Sequence, residues 1–251
     1  MFTEQALFSI VILGLSALLQ ASAGFGAALF GLPLLLWAGN TLVESQLLIL
    51  SAMLPQNLFA GWRLRHSIDF REVLVPAAIR ITTMPIGVAG LAMLMTLSKE
   101  SIGQFVGILI LAAIGVQCIT GVRWSNARRW YWMLITFGGS GLLQGLMGTG
   151  GPPMVLWVYG QQYSVDRARA FLFAIYTICF LPQLCLLYWN FGGIVWLPMM
   201  TAIIAIPVVL LGADLGLRIS QRLGDFRIRT LTYLALVVLA IVAILEPWIN
   251  S

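Results

Sequence analysis

The stretch GLMGTGGPP, Gly145–Pro153, packs four glycines, a threonine and two prolines between two strongly apolar runs. Its chemistry is that of exposed backbone. Gly148, Gly150 and Gly151 carry no side chain, so N–H groups can approach a ligand closely. Pro152 and Pro153 suit the first turn of a short helix, where the missing N–H costs nothing. A helix start carries roughly half a positive charge. An earlier Gly-rich break, SAGFGAALFG from Ser22 to Gly31, offers Gly24, Gly26 and Gly31, with Pro33 just beyond, for the same purpose. Two helix N-termini converging on one point make a site for a small anion. Four glutamines flank these stretches. Gln20 and Gln144 precede them, and Gln56 and Gln183 each follow a proline. Each glutamine can donate amide N–H groups to an anion or serve as a hydrogen-bonded link between helices. Ser22 and Thr149 can donate hydroxyls or cap frayed helix ends. Arg80 is the one clearly intramembrane charge, about 13 Å along its helix from Arg71. An ionisable group at such a depth is a functional residue by default, with snorkelling or a local ion pair as the plainer role.

The elements that carry these residues are apolar helices. Of 251 residues, 60% are hydrophobic and 9% charged. A soluble domain carries about a quarter charged residues. Apolar runs long enough to cross a bilayer recur along the chain, without the alternation of a β-barrel. The expected fold is therefore an all-α polytopic membrane protein. The start, MFTEQALF, has Glu4 and no basic residue, so it reads as a first helix rather than a cleaved signal. Spans are expected near 5–21, 42–62, 70–97, 101–122, 130–146, 169–188, 194–217 and 228–248, with short apolar pieces reaching Ala38 and Tyr159. Cys118, Cys179 and Cys185 lack metal-ligand spacing and read as small core residues. Asp214 should pair with Arg218 one turn on, and His66 should be solvated.

The pattern restarts after RWSNARR. Leu18-Leu19-Gln20 matches Leu142-Leu143-Gln144; Gly31-x-Pro33-x-x-x-Trp37 matches Gly151-x-Pro153-x-x-x-Trp157; Pro55-Gln56 matches Pro182-Gln183; and Pro76 and Pro85 are spaced like Pro198 and Pro207. The order is kept, which implies duplication: 1–122 as one half, 123–129 as a cytoplasmic linker and 130–251 as the other. If each Gly-rich stretch turns the chain back, each half has about five membrane segments and begins with a broken helical hairpin. An odd number inverts the second half. Arg63, Arg65, Arg71, Arg123, Arg128, Arg129, Arg167, Arg169, Arg218, Arg222, Arg227 and Arg229 then share one side, and only Lys99 lies on the other. Four segments per half would scatter them, against the positive-inside rule. Paired breaks in an inverted repeat point to a transporter site near the midplane.

With GFGAALFGLP and GLMGTGGPP heading two related halves, the chain resembles the sulfite exporter TauE/SafE family, also called the toluene-sulfonate uptake permease family. That resemblance covers essentially the whole chain. It implies a secondary transporter of sulfur-containing anions (sulfite, sulfonates, sulfoacetate-like compounds or thiosulfate) in the cytoplasmic (inner) membrane. A small-carboxylate transporter or an anion channel of the same architecture is the alternative. Expected partners are the anion and membrane lipids, with a homo-oligomer open and no nucleic acid. There is no buried carboxylate pair, no His/Cys/Asp cluster and no Lys-Ser/Thr after GTGGPP, so enzyme chemistry, ATP drive and a cofactor are not indicated.

The inverted arrangement places both termini outside the cytoplasm. A phosphatase fused at Ser251 should be active, and a fluorescent protein fused there dark; the reverse pair of signals would overturn the five-segment halves.

Overall fold

The computed structural model describes residues 2–120, 129–161, 163–223 and 225–249. Most of the expected linker, 123–128, lies outside them, as do the side chains of Cys118, Arg123, Arg128, Arg227 and Arg229. Among the described residues there are ten α-helices and no strand: α1 Phe2–Ala23, α2 Ala27–Trp37, α3 Leu42–Arg63, α4 Phe70–Leu94, α5 Lys99–Thr120, α6 Trp130–Met147, α7 Gly151–Gly160, α8 Val165–Phe191, α9 Trp196–Leu223 and α10 Asp225–Ile249. Their lengths and apolar composition make this a multi-pass membrane protein. By length and composition, Glu4–Ala23, Phe70–Leu94 and the α8–α9 stretch Val165–Ser220 are each apolar enough to cross a bilayer.

Local chemistry sets the helix starts. Thr41 and Glu44 form a reciprocal capping box at α3, in which the Thr41 N–H donates to Glu44 Oε2 at 2.7 Å. The Asp69 side chain accepts from the Arg71 N–H at α4, and Ser164 accepts from the Arg167 N–H at α8. Gly24 and Gly26 have φ of 82° and 103°, and Gly148 has φ of 70°, a region side chains rarely tolerate. These glycines end α1 and α6 and turn the chain into α2 and α7.

The first break is shorter than expected. It spans Gly24–Gly26 rather than Ser22–Gly31, because Ala27, Ala28 and Leu29 are good helix formers and restart the helix at once. Ala27 therefore opens α2 as Gly151 opens α7, and Gly31 and Pro33 lie inside α2. Cys185 is exposed on α8, not in the core, while Cys179 is buried. In a helix apolar all round, composition does not separate a lipid-facing from a core-facing side.

The helices pack in matching pairs: α1 runs along α9 and α6 along α4, α3 lies against α8, and α5 lies against α10. Glycine governs the two closest crossings. A Cβ at Gly212 would run into the Gly14 carbonyl, and one at Gly216 into the Leu18 carbonyl, so α9 sits backbone to backbone on α1. At the α4–α6 crossing Gly87 faces the Leu142 carbonyl, Gly145 faces that of Met84, and Gly141 faces that of Arg80. Thr83 Oγ1 donates to the Gly138 carbonyl at 2.9 Å across the same crossing. Small residues at membrane helix crossings allow this approach.

Because the obstacle at Gly212 is backbone, Gly212→Ala must push α1 and α9 apart. It should lower the thermal midpoint in detergent, with a loss of about 1–3 kcal/mol. Gly139→Ala, where nothing lies within 4 Å of the new methyl group, should lose nothing. Equal midpoints for the two variants would show that the crossing is not set by glycine.

Candidate anion site

The α4–α6 crossing places Arg80 beside the end of α6. Its backbone carbonyl lies against Gly141, and its side chain reaches one turn further along α6 to Gln144. Arg80 Nη2 donates to Gln144 Oε1 at 2.6 Å. The side chain is 1% exposed, and its Nε and Nη1 have no hydrogen-bond partner. Its guanidinium carbon stands 5.5 Å from the Tyr176 ring centroid, within cation–π range. A buried charge normally finds a carboxylate. Here the guanidinium has one amide acceptor, one aromatic face and the Cys179 thiol beside it, and no carboxylate.

Hydrogen-bond logic fixes the glutamines around it. Arginine only donates, so the oxygen of Gln144 must face Arg80. The same oxygen accepts from the Gly150 N–H at 3.1 Å. Gln144 Nε2 is thereby turned to Gln183, donating to its Oε1 at 2.7 Å, and Gln183 Nε2 returns to the Gln144 carbonyl at 3.3 Å. Gln144 holds Arg80 in place and spends its oxygen doing so.

The other break has a matching but neutral pair. Gln20 Nε2 donates to Asn57 Oδ1 at 2.8 Å, both side chains being buried. Asn57 thus stands to Gln20 as Gln183 stands to Gln144, and Asn57, not the neighbouring Gln56, occupies that place. Gln56 is turned the other way. Its amide makes only a long 3.4 Å bond to the Ala17 carbonyl, and its Oε1 is buried without a partner.

A cavity of about 60 Å³ lies between these groups. A water requires about 10–15 Å³ on that measure, so the space suits a small oxyanion. The starts of α2 (Gly26, Ala27) and α7 (Gly151, Pro152) both line it. The α2 start has no side-chain cap, so its N–H groups are available. Of the expected site residues, Gln20, Gly26, Arg80, Gln144, Gly148, Thr149, Gly151 and Gln183 come together there. The others lie off it. Ser22 Oγ donates back to the Leu19 carbonyl, and the Ser22 carbonyl accepts from Arg169 Nη2 at 2.9 Å. Gly24 packs under the Arg169 stem, and Gly31 faces Ser16 Oγ inside the hairpin. Gly150 sits behind the cavity, where a Cβ would come within 2.8 Å of Arg80 Nη2.

Asn57, Tyr176 and Cys179 also line the cavity, and the sequence reading missed them. Helical spacing carried the signal. Tyr176 and Cys179 lie seven and four residues before Gln183 on α8 and share its face. Among the described residues, no Asp, Glu or His lines the cavity, and no cluster of three potential metal ligands occurs.

Helices apolar enough to cross a bilayer make this a multi-pass membrane protein, and a cavity lined by one buried guanidinium lies between its two helix breaks. The chain belongs to the sulfite exporter TauE/SafE family, whose model matches residues 9–243. This is a family of membrane exporters of sulfite and related sulfur anions. No curated protein and no solved structure gives a significant match to the chain.

A buried guanidinium with two unpaired nitrogens is a stability cost of several kcal/mol before relaxation. Arg80→Met, similar in length and uncharged, should therefore raise the anion-free unfolding midpoint, by about 1–4 kcal/mol if the site behaves like other buried charges replaced by apolar residues. A lower midpoint would mean that Arg80 is held by favourable contacts rather than kept for a ligand.

Proposed function

We propose that the chain is a secondary transporter that carries a small sulfur-containing anion, of the sulfite or sulfonate class, across the cytoplasmic membrane. The anion is held near the midplane between the α1–α2 and α6–α7 hairpins. One observation carries this reading: Arg80, 1% exposed, with Nε and Nη1 unpaired beside two helix N-termini. An oxyanion would accept from one of those N–H groups and, along the same edge of the guanidinium, from the Nη2 proton that Gln144 leaves free, the planar fork that suits two oxygens. Tyr176, Thr149 and Asn57 supply further polar contacts.

The paired packing supports an inverted repeat. The first helix of each half lies on the fourth helix of the other, and the third and fifth helices pair across the halves. Arg169 on α8 lies by Gly24, and Gln46 on α3 lies by Gly148, each bonding a carbonyl near the end of the hairpin's first helix. The arginine-rich ends also gather. Arg167 Nη2 bonds Glu72 at 2.7 Å, joining the starts of α8 and α4. Arg169 Nη2 reaches Ser220 Oγ at 3.2 Å near the end of α9, where Arg218 pairs with Asp214 at 2.8 Å. That end is assigned to the cytoplasm by the positive-inside rule. Alternating access would then swap which half closes over the cavity.

A thermal-shift series with sulfite, thiosulfate, methanesulfonate and small carboxylates tests the substrate class. A ligand at a hundred times its Kd should stabilise the protein by about 2.7 kcal/mol. Sulfur oxyanions should do this and acetate should not. Gln144→Glu keeps the oxygen that Arg80 and Gly150 use and supplies the counter-charge internally. With the Nε2 donor gone, the Gln183 amide flips to donate to the new carboxylate, so the variant should still fold and lose at least tenfold in anion affinity, about 1.4 kcal/mol. Stabilisation by carboxylates alone, or full affinity in Gln144→Glu, would defeat the reading.

A further inference from the structure

We infer that this transporter works as an anion exchanger, unable to return across the membrane without a bound anion. The inference rests on the proposed anion site and adds the coupling mode. Its basis is the state of one charge. An arginine does not release its proton at any physiological pH, so Arg80 keeps its charge through the whole transport cycle. Its buried neighbours carry no carboxylate: Gln144 takes one N–H, Tyr176 offers a ring face, the Cys179 thiol lies beside it, and Nε and Nη1 have no oxygen or nitrogen partner. No Asp, Glu or His among the described residues lines the cavity to balance it.

Alternating access requires the cavity to close on both sides at some moment. With an anion bound, closure seals an ion pair. Without one, closure seals a lone guanidinium away from water, and the desolvation is uncompensated. The loaded protein therefore crosses that barrier more readily than the unloaded one, and each outward passage of an anion is matched by the inward passage of another. The single fixed charge also sets the preferred cargo. A monoanion leaves the closed cavity neutral, whereas a dianion leaves it negative in a low-dielectric setting. A one-for-one exchange of monoanions moves no net charge.

Efflux of labelled sulfite from proteoliposomes of the wild-type protein tests this, in buffer acidic enough to keep the label as the hydrogensulfite monoanion and with the potential clamped by potassium and valinomycin. External methanesulfonate should accelerate efflux by roughly tenfold or more over external gluconate, a barrier difference of about 1.4 kcal/mol. Changing the clamped potential should alter the exchange rate by less than about twofold. Equal efflux into methanesulfonate and gluconate overturns the exchange mechanism while leaving anion transport standing. A rate that follows the potential overturns the electroneutral stoichiometry. Absence of sulfite flux under every condition overturns the transport reading itself, and exchange with it.

Discussion

The structure depends on keeping one positive charge inside an apolar bundle without a carboxylate beside it. Every charged group in such a place carries a desolvation cost of several kcal/mol. Lysine could lose its proton there and arginine cannot. The surrounding groups make the cost tolerable without cancelling it. Gln144 gives Arg80 one short hydrogen bond, Gln183 fixes the orientation of Gln144, and the face of the Tyr176 ring receives the cation. None of these partners is a carboxylate, so the charge stays uncompensated, as the proposed anion site requires. A carboxylate in place of any of them would satisfy the arginine and silence it.

That geometry needs close helices. Arg80 reaches Gln144 because α4 and α6 meet backbone to backbone at Gly141 and Gly145. A side chain at either glycine would collide with a carbonyl of α4, separating the helices and withdrawing the guanidinium from its acceptor. Gly150 is small for a related reason, since a methyl group there would press on Arg80 Nη2, the Ser140 carbonyl and Gln144. The glycines divide into those that turn the chain, with positive φ at Gly24, Gly26 and Gly148, and those that clear space for the charged network. The second group matters to the site even where it does not line the cavity.

Much of this was legible in the sequence. The hydrophobic runs gave the helices to within a few residues, and the glycines marked both breaks. Arg80 stood out because charge within an apolar helix is costly. Two misreadings share one cause, the alignment of the halves by proline and glycine. The match of Gly31-x-Pro33 to Gly151-x-Pro153 is offset from the structural correspondence, in which Ala27 opens α2 as Gly151 opens α7. The match of Pro55-Gln56 to Pro182-Gln183 is offset by one residue, so Asn57 pairs with Gln20 as Gln183 pairs with Gln144. A proline within a membrane helix is tolerated at several registers. It is therefore a poor ruler, and hydrogen-bonding side chains on a common face are a better one. Tyr176 and Cys179 were hidden for a different reason: in an apolar helix, an aromatic ring or a thiol has the same local pattern whether it lines a cavity or packs a core.

The proposed duplication explains the scaffold but not the charge. On α3 the face leading to Asn57 carries Leu50, Met53 and Leu54, and on α8 the face leading to Gln183 carries Tyr176, Cys179 and Phe180. Gly216 meets the Leu18 carbonyl as Gly87 meets that of Leu142, so the helix position matching Arg80 is Val209, which is buried. One half therefore brings the guanidinium, the other the aromatic face that receives it, and the remaining positions are apolar. A second arginine at position 209 would add a like charge near a cavity of about 60 Å³, and with no anion bound both the repulsion and the desolvation of the pair would be uncompensated in a low-dielectric interior. A cavity of that size holds a single fixed charge more readily than a symmetric pair. The two halves can share a backbone plan for moving against each other, while the chemistry between them has to be asymmetric.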